Sequence, residues 1–211
     1  MEHSAHPRRR FLGRLAGTLA ALTTGLPVAA RADSDTVDVA EHDAWMKSLK
    51  GKHKQFFHDL TIRDQAMLMA NNYLDAYTEA FGAKAGEANA VIGIHGPALS
   101  MGFNDAAWAK YGFGKMYTIT DPATKEPAVR NLYATGGNLS IDTLQKRGVV
   151  FLMCNTALRL RSRGIAAERN ESHETVYADL KASLLPGMIL VPAMVVAINR
   201  AQEKGYTYIR V

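Results

Sequence analysis

Short apolar or aromatic-rich runs recur along the chain, each bounded by glycine or polar residues. They occupy residues 54–60, 89–96, 148–155, 187–193 and 206–211. Runs of this length with such borders are typical of strands that are buried in a sheet. The pattern therefore predicts five β-strands.

Helical periodicity fills most of the intervals between these runs. After the first run, Thr61 is a suitable N-cap, and apolar residues follow at helical spacing from Ala66 to Phe81. Gly82 then offers the left-handed residue that commonly ends a helix. Further helices are predicted over residues 45–49, 140–146, 156–163, 172–184 and 194–203. Residues 97–139 lack a clear period, which is typical of a functional excursion or a loop.

Strands that alternate with helices indicate a single α/β domain whose five-stranded, mainly parallel sheet carries helices on both faces. Right-handed crossovers favour a flavodoxin-like strand order of 2-1-3-4-5. Ligands bind beyond the carboxyl ends of such strands, at the point where the strand order reverses. In this order the reversal lies between the first and third strands, which end near His58 and Cys154.

The N-terminus carries the pattern of an export signal. Residues 7–13, PRRRFLG, form a charged region that precedes a mildly apolar stretch and a small-residue cleavage site at Ala32. The paired Arg8 and Arg9 resemble the signal that directs folded proteins through the twin-arginine export machinery. We therefore expect residues 1–32 to be removed and the protein to lie in the periplasm.

Cleavage at this site divides the chain into three parts. These are the signal peptide at 1–32, a leader with a short helix at 33–52 and the α/β domain at 53–211. The alternative for the first part is an amphipathic or membrane-anchoring helix. Glycines, an arginine and a proline interrupt its apolar stretch, which falls short of the roughly 20 residues that a membrane span needs.

The net charge of the full chain belongs to the signal peptide. The chain has 25 basic and 20 acidic residues, a net charge of +5, and its first 32 residues hold five arginines and one acid. The remaining 20 basic and 19 acidic residues give no argument for a nucleic-acid partner. No later segment is long and apolar enough to span a membrane. The lone cysteine cannot form an internal disulfide, so packing must stabilise the fold.

Cys154 is the main candidate for chemistry. A strand-to-helix junction places its thiol near a helix N-terminus, where backbone N–H groups favour the thiolate. The alternative is a small buried side chain with a packing role only. His58 and His95 end predicted strands, and they are candidate acid–base groups beside the thiol or hydrogen-bonded rim residues. A metal- or haem-associated protein that uses His58 or His95 is a third hypothesis. The spacing of His42, His53 and His58 matches no standard ligand pattern, and we predict no metal site.

Four further residues are candidate ligand-binding positions. Asn155 and Gly96 lie at predicted strand ends, and Asn104 and Trp108 lie in the aromatic part of the excursion. This aromatic part, residues 103–117, suits a ligand lid, a contact with a second copy of the chain or a core patch. The chain lacks the G-x-G-x-x-G, G-x-S-x-G and H-E-x-x-H motifs, so we predict no cofactor.

Two stretches carry a family resemblance. GVVFLMCNTALRLRSRGI (148–165) and LLPGMILVPAMVVAINRAQEKGYTYI (184–209) resemble the DsrE/DsrF-like family. The resemblance covers roughly residues 89–211. With KHKQ and NDAAWAKYGFG, the chain is more similar still to exported members with twin-arginine signals, most of which have no assigned function. In sulfur-transferring members a cysteine after the third strand carries persulfide sulfur, and that position matches Cys154.

The resemblance implies a small α/β domain that assembles into trimers or hexamers. We expect a periplasmic protein that carries sulfur or handles a thiol-reactive ligand through Cys154. The alternative is a non-catalytic, oligomeric module that binds a small ligand or has a structural role, with Cys154 in its core. Fold likeness by itself does not transfer chemistry, so the site has to decide between them.

Replacement of Arg8 and Arg9 by lysine should leave the protein uncleaved in the cytoplasm, because the export receptor recognises the arginine pair. The measurement is a cell fractionation followed by an immunoblot of both forms. Replacement of Arg14 by lysine is the matched control and should leave export unchanged. Normal periplasmic recovery of the double variant would contradict the prediction.

Overall fold

Five parallel strands lie side by side in one sheet, in the order β4-β3-β2-β1-β5. The computed structural model describes residues 43–211, and the predicted signal peptide and the first half of the predicted leader lie outside the described residues. The strands are β1 His53–Asp59, β2 Ala88–Ile94, β3 Val150–Cys154, β4 Met188–Val191 and β5 Thr207–Arg210. All five predicted strands are present, so the expectation of an α/β fold with a parallel sheet is confirmed.

Helices cover both faces of this sheet. They are α1 Ala44–Ser48, α2 Gln65–Glu79, a 3₁₀ helix Gly96–Gly102, α3 Asp105–Tyr111, α4 Phe113–Met116, α5 Ile141–Lys146, α6 Asn155–Arg169, α7 His173–Ala182 and α8 Met194–Glu203. In the described part of the chain, none of them is long and apolar enough to span a membrane. The excursion at 97–139, for which no period was detectable, contributes the 3₁₀ helix, α3 and α4.

The predicted strand order of 2-1-3-4-5 is wrong, because β2 lies between β1 and β3. The connections that follow β1, β2 and β3 all pack on one face, where their buried residues join a single core cluster. Helix α8 packs on the opposite face with α1, in a second cluster. A right-handed crossover on that opposite face carries the chain back across the sheet, which places β5 beside β1.

The alternation of side chains along β3 divides it between the two clusters. Phe151 and Met153 pack in the first cluster, whereas Leu152 and Cys154 pack in the second. Because side chains of a strand point alternately to the two faces, the thiol is directed towards α8. This orientation sets the surroundings of the sulfur.

The aromatic residues of segment 103–117 are buried by the chain itself. Trp108 and Phe113 have no exposed surface, and the indole N–H of Trp108 donates to the carbonyl oxygen of Ser100 at 2.8 Å. The side-chain amide of Asn131 donates to two further backbone carbonyls of the excursion. Of the three roles that the sequence left open for this segment, these contacts favour the core patch.

Replacement of two glycines by alanine should change the free energy of unfolding in opposite directions. Gly114→Ala should lower the free energy of unfolding by about 1–3 kcal/mol, because the added Cβ would collide with the backbone of Ala128. Gly164→Ala should raise it by about 0.5–1 kcal/mol, since Gly164 lies inside α6 with no atom within 4 Å of the added Cβ. Urea unfolding of both variants measures the two changes, and equal shifts would contradict this account.

Candidate functional site

The crevice of the sheet lies between β3 and β4. The chain leaves β3 towards α6 on one face and leaves β4 towards α8 on the other, so the two connections diverge at the carboxyl edge. Divergence of this kind opens the crevice in which open α/β sheets bind ligands. Cys154 ends β3 and pairs in register with Val191 of β4. The thiol therefore lies at the crevice, as predicted. The crevice is formed by β3 and β4, however, and not by the first and third strands.

Two helices direct backbone N–H groups at the sulfur of Cys154. The N–H of Ala157, in the first turn of α6, donates to Sγ at 3.4 Å. The N–H of Met194, the first residue of α8, donates to the same Sγ at 3.3 Å. Both donors lie at the positive ends of helix dipoles, so both stabilise negative charge on the sulfur.

The same sulfur has little contact with solvent. Cys154 is 2 % exposed and packs with Leu152, Val191 and Met194 in the second core cluster. A reagent that reaches Sγ must displace side chains of the first turns of α6 or α8. The site thus combines a favourable environment for a thiolate with restricted access.

Beside the thiol, a row of titratable side chains lies on the same face of the sheet. His58 is the last residue but one of β1, and His95 directly follows β2. Their rings stack with centroids 5.6 Å apart and planes inclined by 12°. The Nδ1 atom of His58 lies 3.1 Å from the hydroxyl oxygen of Tyr208 on β5. Since β2 lies between β1 and β3, His95 lies on the strand next to that of Cys154. The structure thus brings together the predicted acid–base residues at one edge.

His58 is neutral at physiological pH. Its burial, together with the charges of His95 and Arg210, lowers its pKa from 6.5 to about 4. Its Nε2 atom is buried without a hydrogen-bond partner in the described residues, and the same holds for Nδ1 of His95. Each of these two ring nitrogens can therefore form a hydrogen bond to a bound molecule.

Tyr208 is a part of this row that sequence analysis did not identify. Its hydroxyl reaches His58 because β5 lies next to β1, with Phe56 and Tyr208 paired in register. The predicted strand order placed these strands apart. Correct pairing of β5 with β1 is the signal that would have revealed the contact.

Asp59 lies on the other face of the sheet from His58. It has no exposed surface, and its Oδ1 accepts a hydrogen bond from the N–H of Thr61 at 3.1 Å. Its Oδ2 is buried without a partner in the described residues. Burial raises the pKa of this carboxyl from 3.8 to about 7, and the hydrogen bonds from Thr61 only partly offset that effect. The carboxyl is therefore poised to titrate near neutral pH.

A cleft of about 440 Å³ opens at the same edge. Its lining residues are His95, Gly96, Thr156, Ala157, Leu160, Arg161 and Gly164. The guanidinium of Arg161 lies over the ring of Tyr117, 5.4 Å from its centroid. The cleft adjoins the first turn of α6, whose Ala157 N–H donates to Sγ of Cys154.

The other predicted ligand-binding residues make contacts within the protein. The Oδ1 atom of Asn155 accepts a hydrogen bond from the hydroxyl of Tyr177 at 2.8 Å. Asn104 caps α3, since its Oδ1 accepts the N–H of Ala107 at 3.0 Å. Trp108 is fully buried in the excursion. Of these four residues, Gly96 alone lines the cleft at the carboxyl edge.

A metal site has no geometric support in residues 43–211. Within that range, no group of three or more histidine, cysteine, aspartate or glutamate side chains is placed to hold a metal ion. Stacked rings such as those of His58 and His95 present their faces to each other rather than two converging nitrogens.

Comparisons with known proteins identify only a distant likeness. No protein-family model matches the chain, and no curated protein sequence matches it. Among solved structures the chain is similar to a protein of unknown function, MTH1491 from Methanobacterium thermoautotrophicum, with 16% sequence identity and a TM-score of 0.41. The match covers 76% of this chain and 100% of that chain. Interpretation of the site therefore depends on its own geometry.

Asp59→Asn should change how stability varies with pH. A raised pKa means that the native carboxyl stabilises the fold below about pH 4 and loses that contribution as the pH rises through about 7. The wild type should therefore lose about 2 kcal/mol relative to the variant between pH 5 and pH 8. Urea unfolding of the wild type and the variant at both pH values measures this change. Because both proteins contain His58, its titration contributes equally to both and cancels in the comparison. An equal gap at the two pH values would contradict the raised pKa.

Proposed function

We propose that the protein carries sulfane sulfur on Cys154. The observation that supports this proposal is the pair of N–H groups, from Ala157 and Met194, that converge on Sγ at the crevice of the sheet. Thiolates at helix N-termini are nucleophilic at neutral pH, and a second helix end adds to the same effect. Loading a sulfur atom requires such a thiolate.

The loading step is an exchange between sulfur atoms. The Cys154 thiolate attacks the outer sulfur of a donor persulfide, R–S–SH, and forms a new S–S bond. The S–S bond of the donor breaks, and R–S⁻ leaves with the electron pair. The SH group is now bound to Cys154, its proton is retained, and no external oxidant or reductant is consumed. Delivery to an acceptor thiolate is the same step in reverse.

His95 is the residue best placed to assist this exchange. It lines the cleft next to the first turn of α6, and its Nδ1 has no partner in the described residues. His58 stacks on its ring and is held in turn by Tyr208. In the proposal, His95 donates a proton to the departing R–S⁻ and takes one from the acceptor thiol in the reverse step, while His58 and Tyr208 fix its orientation.

The resemblance to the DsrE/DsrF-like family agrees with this proposal. A persulfide-carrying cysteine follows the third strand in sulfur-transferring members, and Cys154 ends β3 here. Export by the twin-arginine machinery, a periplasmic location and assembly into trimers or hexamers belong to the same proposal. An exported carrier would take sulfur from a periplasmic donor, because the cytoplasmic partners of the family are out of its reach.

A second candidate function has its own observation. The 2 % exposure of Cys154 favours a non-catalytic module that binds a small ligand, with the thiol as a core side chain. In that case the two N–H groups are satisfied by sulfur for structural reasons alone. The two functions differ in whether Cys154 reacts in the native protein.

Labelling of the native protein separates them. Cys154 is the only cysteine, so a small thiosulfonate reagent reports on it alone. If Cys154 carries sulfur, it should react in the native protein. Its labelling rate without denaturant should then exceed, by at least about tenfold, the rate expected if only unfolded molecules react. Treatment with polysulfide should then add one sulfur atom to the intact mass, and Cys154→Ser should abolish that addition. Labelling that follows only the unfolded fraction would overturn the carrier function and leave the binding module.

Substitution of the histidines tests the role of the row. His95→Gln should slow sulfur loading by about tenfold or more, the usual range for a lost proton-transfer group. His53→Gln is the matched control, since His53 begins β1 at the other edge of the sheet and stacks on Tyr77. Loading rates for the two variants that do not differ would contradict a role for His95.

A further inference from the structure

The amino edge of the sheet contains a second cleft, remote from Cys154. Its volume is about 400 Å³, and it is lined by Asp43, Met46, Lys47, Lys54, Arg200, Lys204 and Tyr206. These residues come from α1, the start of β1, the end of α8 and the residue before β5. The volume lies within the range of small-molecule sites, about 300–1,000 Å³.

Positive charge dominates this cleft. Arg200 is paired with Asp43, to which its Nε donates at 2.7 Å, and Glu203 lies near the same guanidinium. In the described part of the chain, no ion pair joins Lys47, Lys54 or Lys204 to an acidic side chain. Among residues 43–211, four cations therefore face two acids. The excess creates a local field that attracts anions.

The cleft also contains a buried polar group without a partner. Tyr206 is 4 % exposed, and its hydroxyl has no hydrogen-bond partner in the described residues. Burial raises the pKa of this phenol to about 12, so it stays protonated and can donate. A buried donor without a partner is costly unless something accepts its hydrogen bond.

A flexible lysine side chain lies over the ring that carries this hydroxyl. The Nζ of Lys54 lies 5.5 Å from the centroid of the Tyr206 ring. A lysine side chain is flexible, so it can swing to pair with an anion and leave room for the anion to reach the phenol. Met46 and the Tyr206 ring supply apolar surface beside these charges.

We propose that this cleft binds a small organic anion, with a carboxylate or phosphate head held by Lys54, Lys204 and the Tyr206 hydroxyl, and an apolar body against Met46. Two of the cations also lie at or beyond the last turn of α8, where they complement the helix dipole. Lys54 lies on β1, so interaction with the helix dipole does not explain the presence of this third cation. The site is independent of the proposed chemistry at Cys154.

The probe for this proposal is 1-anilinonaphthalene-8-sulfonate, an anion on an aromatic body, followed by fluorescence and calorimetry. The double variant Lys54→Met/Lys204→Met should weaken binding by about tenfold or more, which corresponds to about 1.4 kcal/mol. Lys181→Met, on α7 at the opposite face, is the matched control and should bind as the wild type does. The uncharged analogue N-phenyl-1-naphthylamine should bind the double variant and the wild type alike.

Tyr206→Phe gives a readout that a purely structural role would not produce. It removes a hydroxyl that has no partner, so the free protein should keep or slightly increase its stability, whereas probe binding should weaken severalfold. Benzoate and phenyl phosphate should compete with the probe, and the stronger competitor identifies the head group. The proposal is overturned if the double variant binds the probe like the wild type, if neither competitor displaces it, or if Tyr206→Phe leaves the affinity unchanged.

Discussion

The close approach of α8 to the sheet at Gly93 is the constraint on which both candidate sites depend. A Cβ at this position would lie 2.5 Å from Sδ of Met194 and 2.7 Å from the ring of Phe56. Because Gly93 has no side chain, the side chain of Met194 packs directly on the strands. Its own N–H then reaches the sulfur of Cys154. A side chain at position 93 would collide with the side chain of Met194 and the ring of Phe56.

The direction of α8 links the two edges of the sheet. Its N-terminus lies at the thiol on the carboxyl edge, and its last turn brings Arg200 to the basic cleft at the amino edge. The helix dipole favours negative charge at the first end and cations at the second. One helix therefore contributes to a thiolate environment and, at the other edge, to a set of cations that an acidic ligand can neutralise. The two sites share a scaffold without sharing a residue.

Burial acts in opposite directions on two neighbouring residues of β1. His58 and Asp59 point to opposite faces, and the loss of solvent lowers the pKa of the imidazole and raises that of the carboxyl. In both cases the neutral form is favoured, since a low-dielectric environment penalises charge of either sign. Of the two groups, His58 is therefore neutral at physiological pH, and Asp59 titrates near it. The Cys154 sulfur lies at the same edge among backbone donors.

The pattern of apolar and polar residues by itself determined the elements and their local character. It predicted all five strands, the long helix after β1 and the position of Cys154 between a buried strand and a helix. One boundary differed slightly from the prediction. Thr61 was expected to be the N-cap of the helix after β1, but α2 starts at Gln65 with Asp64 at that position. The N–H of Thr61 donates to Asp59 instead. These features depend on residues that are close in sequence, so a local pattern contains them.

Tertiary structure alone decided the order of the strands and everything that follows from it. The contact of Tyr208 with His58, the N–H of Met194 at the thiol and the convergence of Lys54 with Lys204 each join residues more than 35 positions apart. The aromatic excursion is also part of the core, because the indole N–H of Trp108 donates to Ser100 and its ring is fully buried. Periodicity records whether a residue is buried but not against which element. The choice of face for each crossover is settled only when all the helices pack together.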